Sequence, residues 1–314
     1  MKTAVFLCVL VAVFHTTFSQ SEKGCPDAED IKPCFCVYTG LTFLHCQNLS
    51  DAEPLRSVFK NSERFRYNEV HIDGSTLQYL PHEMFDKVEV QGLYLKDTTI
   101  TQLFDQTPEP VEALQKLYID RTRVLRGIIW GILEPLKNLR ILTIYYNSIK
   151  TIGSDFSQYA PKNLEQLTLY DTETKSIKPG VFANFTKLDK IAIDHGKITT
   201  LTRDIFPTPW NGRFLYLNEH KISEIPKDLF SQMPNLQTLS FRTNQLSTLP
   251  ENAFDGNFGG LKYLILDDNP LKCDCLMKWM IVWKPEVIQG TCEKPKDKQG
   301  KQLKDLEPGD FNCR

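Results

Sequence analysis

The chain has 314 residues, of which 41% are hydrophobic and 24% charged, with a formal net charge of −2 at pH 7 and a pI near 6.3. Loss of the one lysine before residue 20, Lys2, would change this charge from −2 to −3. The mildly acidic balance argues against a nucleic acid or an anionic membrane as the partner.

Residues 1–19 have the pattern of a secretory signal peptide. A single lysine precedes an apolar run from Ala4 to Phe14, and small or polar residues follow at the expected cleavage positions. A membrane anchor is the alternative, but these eleven apolar residues are fewer than the roughly twenty that cross a bilayer. We expect no later transmembrane segment and no lipid anchor, and therefore a secreted, extracellular chain.

The cysteines after this segment fall into two groups of four. One group lies in a predicted N-terminal cap of residues 20–66, and the other lies in a predicted C-terminal cap of residues 269–314. The members are Cys25, Cys34, Cys36 and Cys46, and then Cys273, Cys275, Cys292 and Cys313. Each group allows three pairings, which counting cannot distinguish. Zinc is the alternative for each group, but an even number of cysteines in an oxidising compartment favours disulfides.

Residues 67–268, between the two groups, consist of a repeated unit. In the clearest copy, Leu236–Pro250, apolar residues at positions 1, 4, 6, 11 and 14 combine an alternating strand with a bend. The ninth position is a turn residue that recurs every 23 to 25 residues. Its occupants are Ser75, Thr98, Thr122, Asn147, Thr172, Gly196, His220, Asn244 and Asn269. This period predicts nine repeats of an α/β leucine-rich repeat solenoid, a horseshoe with a parallel concave sheet, whose last repeat runs into the C-terminal cap.

Two further patterns support the nine repeats. Each repeat has an apolar pair, two residues apart, that should face the core. The pairs are Val70/Ile72, Leu93/Leu95, Leu117/Ile119, Leu142/Ile144, Leu167/Leu169, Ile191/Ile193, Leu215/Leu217, Leu239/Phe241 and Leu264/Leu266. Aromatic residues follow the turn position by ten residues, or within two of that spacing, at Phe85, Trp130, Phe156, Phe182, Phe206, Phe230 and Phe254. We expect these rings to form a stacked spine inside the convex side, and Gly127–Leu133 to form a short convex helix.

The C-terminal cysteine segment resembles the flanking module of extracellular leucine-rich repeat proteins. The match runs from Asn269 to Trp283, through Cys292–Pro295, and then from Asp310 to Cys313. The resemblance implies two disulfides in each cap. The implied pairs are Cys25–Cys36, Cys34–Cys46, Cys273–Cys292 and Cys275–Cys313.

The N-terminal third resembles a narrower group. The segments Cys25–Cys36 and Leu55–Phe59 are similar to those of arthropod secreted proteins related to the non-catalytic subunit of oplophorus luciferase. That subunit does not perform the oxidation, so the resemblance implies no catalytic residue for this chain.

The turn position departs from the family pattern, in which it is usually asparagine. Only Asn147, Asn244 and Asn269 supply asparagine here, whereas Gly196 offers no side chain and His220 is expected to replace the amide. A missing hydrogen bond between coils costs about 1 kcal/mol. We therefore expect the first half of the solenoid to be less regular than the second.

Tyrosines gather in repeats two to five, at strand positions that should face the concave surface. Tyrosine offers a large contact area with little side-chain entropy to lose, which suits protein binding. The alternative is that tyrosine simply favours strands. We prefer a protein-binding surface because these side chains should point away from the core. Its predicted residues are Tyr94, Tyr118, Asp120, Tyr145, Tyr170 and Asp194.

Catalysis finds little support. His71, His195 and His220 fall on separate repeats, and the sequence has neither a nucleophile elbow nor a paired metal-binding histidine motif. Asp267 and Asp268 lack a loop of alternating oxygen ligands, which argues against calcium. We expect a non-enzymatic chain with no cofactor and no metal site.

Two sequons predict N-glycosylation at Asn48 and Asn184. Our leading hypothesis is a secreted module that holds a protein partner on its concave face, as the accessory chain of a complex. An extracellular-matrix or cell-surface structural component is the alternative. An enzyme subunit with its own activity is the least supported of the three.

Overall fold

One long sheet organises the fold. The computed structural model describes residues 24–254, 258–311 and 313, so the predicted signal peptide lies outside the described residues. The sheet has twelve strands in chain order, of which the first two are antiparallel and all later neighbours parallel. The strands are Phe35–Tyr38, Thr42–Gln47, Glu69–Asp73, Gly92–Lys96, Lys116–Asp120, Ile141–Tyr145, Gln166–Tyr170, Lys190–Asp194, Phe214–Tyr216, Thr238–Ser240, Tyr263–Ile265 and Val287–Gln289.

Shorter elements complete the coils outside this sheet. The short strands are Arg66–Tyr67, Thr76–Leu77, Glu89–Val90, Thr99–Ile100, Arg123–Val124, Thr151–Ile152, Ser176–Ile177, Leu271–Lys272 and Cys292–Lys294. The α-helices are Glu53–Asn61, Ser154–Tyr159 and Lys278–Trp283. The 3₁₀ turns are His82–Phe85, Trp130–Leu133, Arg203–Ile205, Glu251–Ala253, Cys275–Met277, Leu303–Asp305 and Pro308–Asp310. The helix expected in Gly127–Leu133 is thus a single 3₁₀ turn.

The apolar pairs of the nine repeats form the core. Each pair lies on, or directly after, a strand of the long sheet, and its side chains are at most 1% exposed. Parallel pairing aligns equivalent residues of successive coils, so that Leu142 lies between Leu117 and Leu167. Burial of each such side chain contributes about 1.5–3 kcal/mol. The sheet and its core have the architecture that the repeat predicts.

A sharp turn follows the long strands. One residue with a positive φ of 43° to 59° sends the chain out of the sheet in each coil. The residues at this left-handed position are Asn48, Gly74, Asp97, Arg121, Tyr146, Asp171, His195, Glu219, Thr243 and Asp268. In the nine repeats, the next residue is the turn position identified in the sequence.

Residues other than asparagine can also link neighbouring coils from the turn position. Asn244 Nδ2 donates to a main-chain carbonyl of the preceding coil at 2.8 Å, and Thr98 Oγ1 does the same at 3.3 Å. His220 replaces asparagine as predicted, because its Nε2 lies 2.8 Å from Ile193 O. Gly196 leaves room for this ring, since a Cβ atom on Gly196 would lie 2.6 Å from His220 Cε1.

The expectation of a less regular first half is wrong for the sheet. The strands of the first six repeats have five residues each, whereas those of the last three have three. Side-chain oxygens replace main-chain pairing where the strands become shorter. Asp194 Oδ1 accepts the N–H of Asn218 at 2.8 Å, and Asn218 Oδ1 accepts the N–H of Arg242 at 2.9 Å.

The convex aromatic residues pack edge to face or tilted in separate groups, so the predicted stacked spine is wrong in that respect. Trp130, Phe156 and Phe182 form one group, with successive ring centroids 4.8 and 5.7 Å apart. Phe230 and Phe254 belong to another, with centroids 4.7 Å apart. The spine is interrupted because the convex segments differ in conformation, from α-helix to 3₁₀ turn to extended chain.

Both caps continue the sheet, which the sequence did not reveal. Disulfides join Cys25 to Cys36, Cys34 to Cys46, Cys273 to Cys292, and Cys275 to Cys313. These are the pairs that the resemblance implies, and each stabilises the fold by about 2–4 kcal/mol. The helix Glu53–Asn61 buries Leu55, Val58 and Phe59 and packs beside the 3₁₀ turn His82–Phe85 of the next coil. At the other end, Trp279 Nε1 donates to Leu249 O at 2.9 Å.

Candidate protein-binding surface

The residues predicted for protein binding all lie on the long strands, with half-buried side chains. They alternate with the core residues because successive side chains of a strand point to opposite faces. Tyr94 and Tyr118 occupy the middle of their strands, whereas Asp120, Tyr145, Tyr170 and Asp194 occupy the last strand residue. The structure therefore divides the predicted surface into two neighbouring parts.

The first part is a row of five stacked rings, which we call the aromatic row. Successive ring centroids are 4.5 to 5.0 Å apart, and successive ring planes lie within 18° of parallel. Its members are Phe35, His45, His71, Tyr94 and Tyr118. Neighbouring strands lie about 4.8 Å apart, so one strand position repeated on each strand stacks its rings directly.

Glu69 fixes the centre of the aromatic row. Its carboxylate accepts a hydrogen bond from the Tyr94 hydroxyl at 3.0 Å and lies 2.9 Å from His71 Nε2. Burial, and then this bond to Glu69, raises the pKa of Tyr94 far above its ordinary value. Burial, and then the neighbouring His71, lowers the pKa of His45. Tyr94 and His45 are therefore neutral at pH 7, in a row whose orientation is fixed.

Sequence reasoning missed three members of this row. Phe35 and His45 belong to strands of the N-terminal cap, which shows no repeat, and His71 faces the concave surface but was not among the predicted binding residues. The available signal was strand position, because His71, Tyr94 and Tyr118 each stand between the two apolar residues of their repeat.

The second part is the tyrosine corner, formed by Tyr145, Tyr146 and Tyr170. Their ring centroids are 5.8 to 6.5 Å apart, and each pair of rings meets edge to face at 69° to 87°. His195 adds a fourth ring, 5.6 Å from Tyr170. Tyr146 is 48% exposed and occupies the left-handed position after its strand. The sequence pattern does not predict it, because Tyr146 stands neither between nor directly after the apolar residues Leu142 and Ile144.

Carboxylates surround the tyrosine corner. Asp120 pairs with Arg121 at 3.1 Å, and Arg121 also donates to Asp97 at 2.7 Å. Burial raises the pKa of Asp194 to about 6, although the N–H of Asn218 partly opposes the shift. Burial, and then the charges of Asp120 and Asp194, raises the pKa of Tyr145. The corner thus consists of neutral rings in a negative field.

One cluster of possible metal ligands lies away from this surface. His82, Glu83 and Asp105 come together near the 3₁₀ turn His82–Phe85. Arg56 Nη2 lies 2.7 Å from Asp105 Oδ2, and the same guanidinium pairs with Glu83. His82 Nδ1 lies 3.0 Å from Asp105 Oδ1. Because the guanidinium pairs with Glu83 Oε1 and Asp105 Oδ2, this cluster forms an ion-pair network that joins coils.

Comparison with known structures and families agrees with the fold. The family model described as leucine rich repeat matches residues 213–271. A chain in the octameric complex of Latrophilin 3 (Lec, Olf), Unc5D (Ig, Ig2, TSP1) and FLRT2 (LRR) has a TM-score of 0.61 at 20% identity, over 90% of this chain and 98% of that one. Within the part of the chain that the structure describes, no helix combines the length and apolarity needed to cross a membrane.

Sequence relatives are similar to this chain over very different lengths. The Oplophorus-luciferin 2-monooxygenase non-catalytic subunit of Oplophorus gracilirostris is 25% identical, over 92% of this chain and 88% of that protein. The leucine-rich repeat and immunoglobulin-like domain-containing nogo receptor-interacting protein 1 of Homo sapiens is 44% identical over 62 residues, or 17% of this chain and 10% of that protein. The long similarity, to a subunit named as non-catalytic, agrees with a repeat scaffold that is not an enzyme.

Proposed function

We propose that this leucine-rich repeat protein, closed by two disulfides at each end, is secreted and binds a protein partner on its concave face. The observation that carries the proposal is the aromatic row with its adjoining tyrosine corner. These rings lie on the face opposite the buried apolar pairs, so they add little to the core. The similarity to a non-catalytic subunit supports a role as the accessory chain of a complex.

The chemistry of this surface suits a protein more than a small molecule. Oriented tyrosines lose little side-chain entropy on binding, and such rings often dominate the binding energy of protein interfaces. The aromatic row extends over five neighbouring strands, which gives an elongated contact area. Its polar tips, such as the Tyr94 hydroxyl, can then select the orientation of the partner.

Recovery of the native complex tests this proposal. Crosslinking of the native secretion, followed by mass spectrometry, would identify a partner whose affinity can then be measured. We expect Tyr118→Ala and Tyr145→Ala each to weaken binding about tenfold or more, with unchanged thermal unfolding. Tyr263→Ala, on the ninth repeat, is the matched control and should bind normally.

Two outcomes would contradict the proposal. Unchanged affinity in both tyrosine variants would exclude the aromatic row and the tyrosine corner as the binding surface. Retention of the chain in an insoluble matrix fraction, without a stoichiometric partner, would favour the structural component instead.

We also propose that Asn48 and Asn184 are glycosylated. Both side chains are exposed, and Asn184 lies on a convex segment between the buried rings of Phe182 and Phe185. A glycan at Asn184 would therefore leave the concave face open. Intact-mass measurement before and after enzymatic glycan removal should show a loss of mass that Asn48→Gln and Asn184→Gln each reduce. An unchanged mass would exclude both sites.

A further inference from the structure

We infer that the partner places a basic segment on the tyrosine corner, with a lysine or arginine side chain over the exposed ring of Tyr146. The inference rests on the proposed concave binding function and adds the chemical class of the ligand. It concerns one end of the surface, where Tyr145, Tyr146 and Tyr170 meet. The aromatic row is not required to contact the basic segment.

Tyr146 is the only tyrosine among the ten residues at the left-handed position. Five of these positions carry glycine, asparagine or aspartate, which adopt this conformation most readily, and the others carry Arg121, Tyr146, His195, Glu219 and Thr243. Almost half of the Tyr146 side chain remains exposed, so the core does not account for the ring. An exposed ring that adds little to the core, beside two further tyrosines on the proposed binding face, points to a ligand contact.

The other two tyrosines hold Tyr146 in place. Tyr145 and Tyr170 contact it edge to face, with centroids 6.5 and 5.8 Å away, and they also contact each other. The three ring planes are nearly perpendicular to one another. The cluster therefore exposes both ring faces and ring edges to solvent. A cation is attracted to the negative face of such a ring, and arginine can also stack on it.

The charges around the corner select a cation over an anion. The carboxylates are Asp97, Asp120, Asp171, Asp194 and Glu219, and the opposing basic side chains are Lys96, Arg121 and Lys190. Asp171 has no ion pair within the described residues. Lys150, Lys175 and Lys197 act on Glu173 beyond the turn, which confines the acidic region to the concave edge.

This charge pattern argues against the other occupants of an exposed tyrosine cluster. An acidic peptide would be repelled by the unpaired carboxylate of Asp171. A purely apolar segment would leave the carboxylates around Tyr146 desolvated and without a partner, which disfavours binding. A lysine or arginine side chain satisfies both features, because its charge faces the carboxylates while its stem lies on the ring.

Fluorescence anisotropy of the purified full chain tests the inference, with labelled hexa-arginine and hexa-glutamate peptides as probes. We expect hexa-arginine to bind and hexa-glutamate not to bind, with weaker binding at about 0.5 M salt than at about 0.05 M. Tyr146→Asn removes the ring but keeps a residue suited to the left-handed position, and it should weaken hexa-arginine binding about fivefold. Tyr146→Phe should bind within about twofold of the unchanged chain, because the ring face remains.

Asp171→Asn should weaken binding about threefold and reduce its salt dependence. Asp268→Asn is the matched control, because it changes the equivalent turn residue of the ninth repeat and should leave hexa-arginine binding unchanged. Equal binding by the Tyr146→Asn variant, or equal binding of the two peptides, would overturn the inference. A native partner that depends on Tyr118 but neither on Tyr146 nor on salt would also overturn it, while leaving the concave binding proposal intact.

Discussion

The first six repeats and the last three form the same coil with different residues. Asn244 and Asn269 supply the usual amide in the last three, and the family model matches residues 213–271. Hydroxyl groups of serine and threonine hold most of the earlier turns, yet the earlier strands are the longer ones. Hydroxyl groups can therefore replace the asparagine amide at the turn, and the coil of Gly196 forms a five-residue strand without any side chain there. Strand length depends on which groups compete for the main-chain N–H at the strand end.

The two regions also differ on the concave face. The aromatic row ends at Tyr118 and the tyrosine corner at Tyr170, both within the first six repeats. At the middle strand position, the last three repeats carry Tyr216, Ser240 and Ile265 instead. The segment that matches the family model therefore lies apart from the segment that carries the candidate binding surface.

The largest difference between the regions should appear when the turn side chain is removed. Asn244 forms four buried or partly buried hydrogen bonds, so Asn244→Ala should lower the free energy of unfolding by about 2–4 kcal/mol. Thr98 forms fewer and longer bonds, and Thr98→Ala should cost about 1 kcal/mol. Urea unfolding of both variants measures these costs. Equal costs would mean that hydroxyl and amide turns stabilise the coil equally.

A second variant tests the junction between the regions. A Cβ atom at Gly196 would lie 2.6 Å from His220 Cε1 and 2.7 Å from Thr174 O. Gly196→Ala should therefore lower the free energy of unfolding by about 2 kcal/mol. Combination with His220→Asn should cost less than the sum of the two single changes, because the smaller amide relieves one of the two clashes. If the two losses of unfolding free energy simply add, the clash with the Thr174 carbonyl alone accounts for the destabilisation by Gly196→Ala.

The sequence predicts the repeat and its core because both depend on residue spacing. Leu142 and Ile144 reach the core since strand alternation dictates it, and His220 fits the turn since its ring nitrogen can replace an amide. Contacts between coils are harder to predict, because they depend on the exact register of strands. The stack of Phe35 on His45 joins two cap strands that follow no repeat. Tyr146 is likewise apparent only after the left-handed turn is seen.

A smaller effect is expected at Asp194, where five-residue strands give way to three-residue strands. Burial holds the pKa of Asp194 at about 6, above the roughly 3.9 of an unfolded chain. The native state consequently binds this proton more tightly than the unfolded state does. Folding stability contributed by this group therefore falls as the pH rises from about 4 to about 6, and the loss is complete above that range.

Asp194→Asn should remove this loss while keeping an oxygen that accepts the N–H of Asn218. We expect the variant to be about 1–2 kcal/mol more stable than the original chain at pH 7 and equal to it below about pH 4, by urea unfolding across this range. Asp97→Asn is the contrasting control, because Arg121 holds the pKa of Asp97 below its ordinary value and neutralisation should bring no gain at pH 7. Equal pH profiles for Asp194→Asn and the original chain would mean that the carboxylate is hydrated at the junction. Competition of its oxygen for the Asn218 N–H would then be too weak to explain why the strands become shorter there.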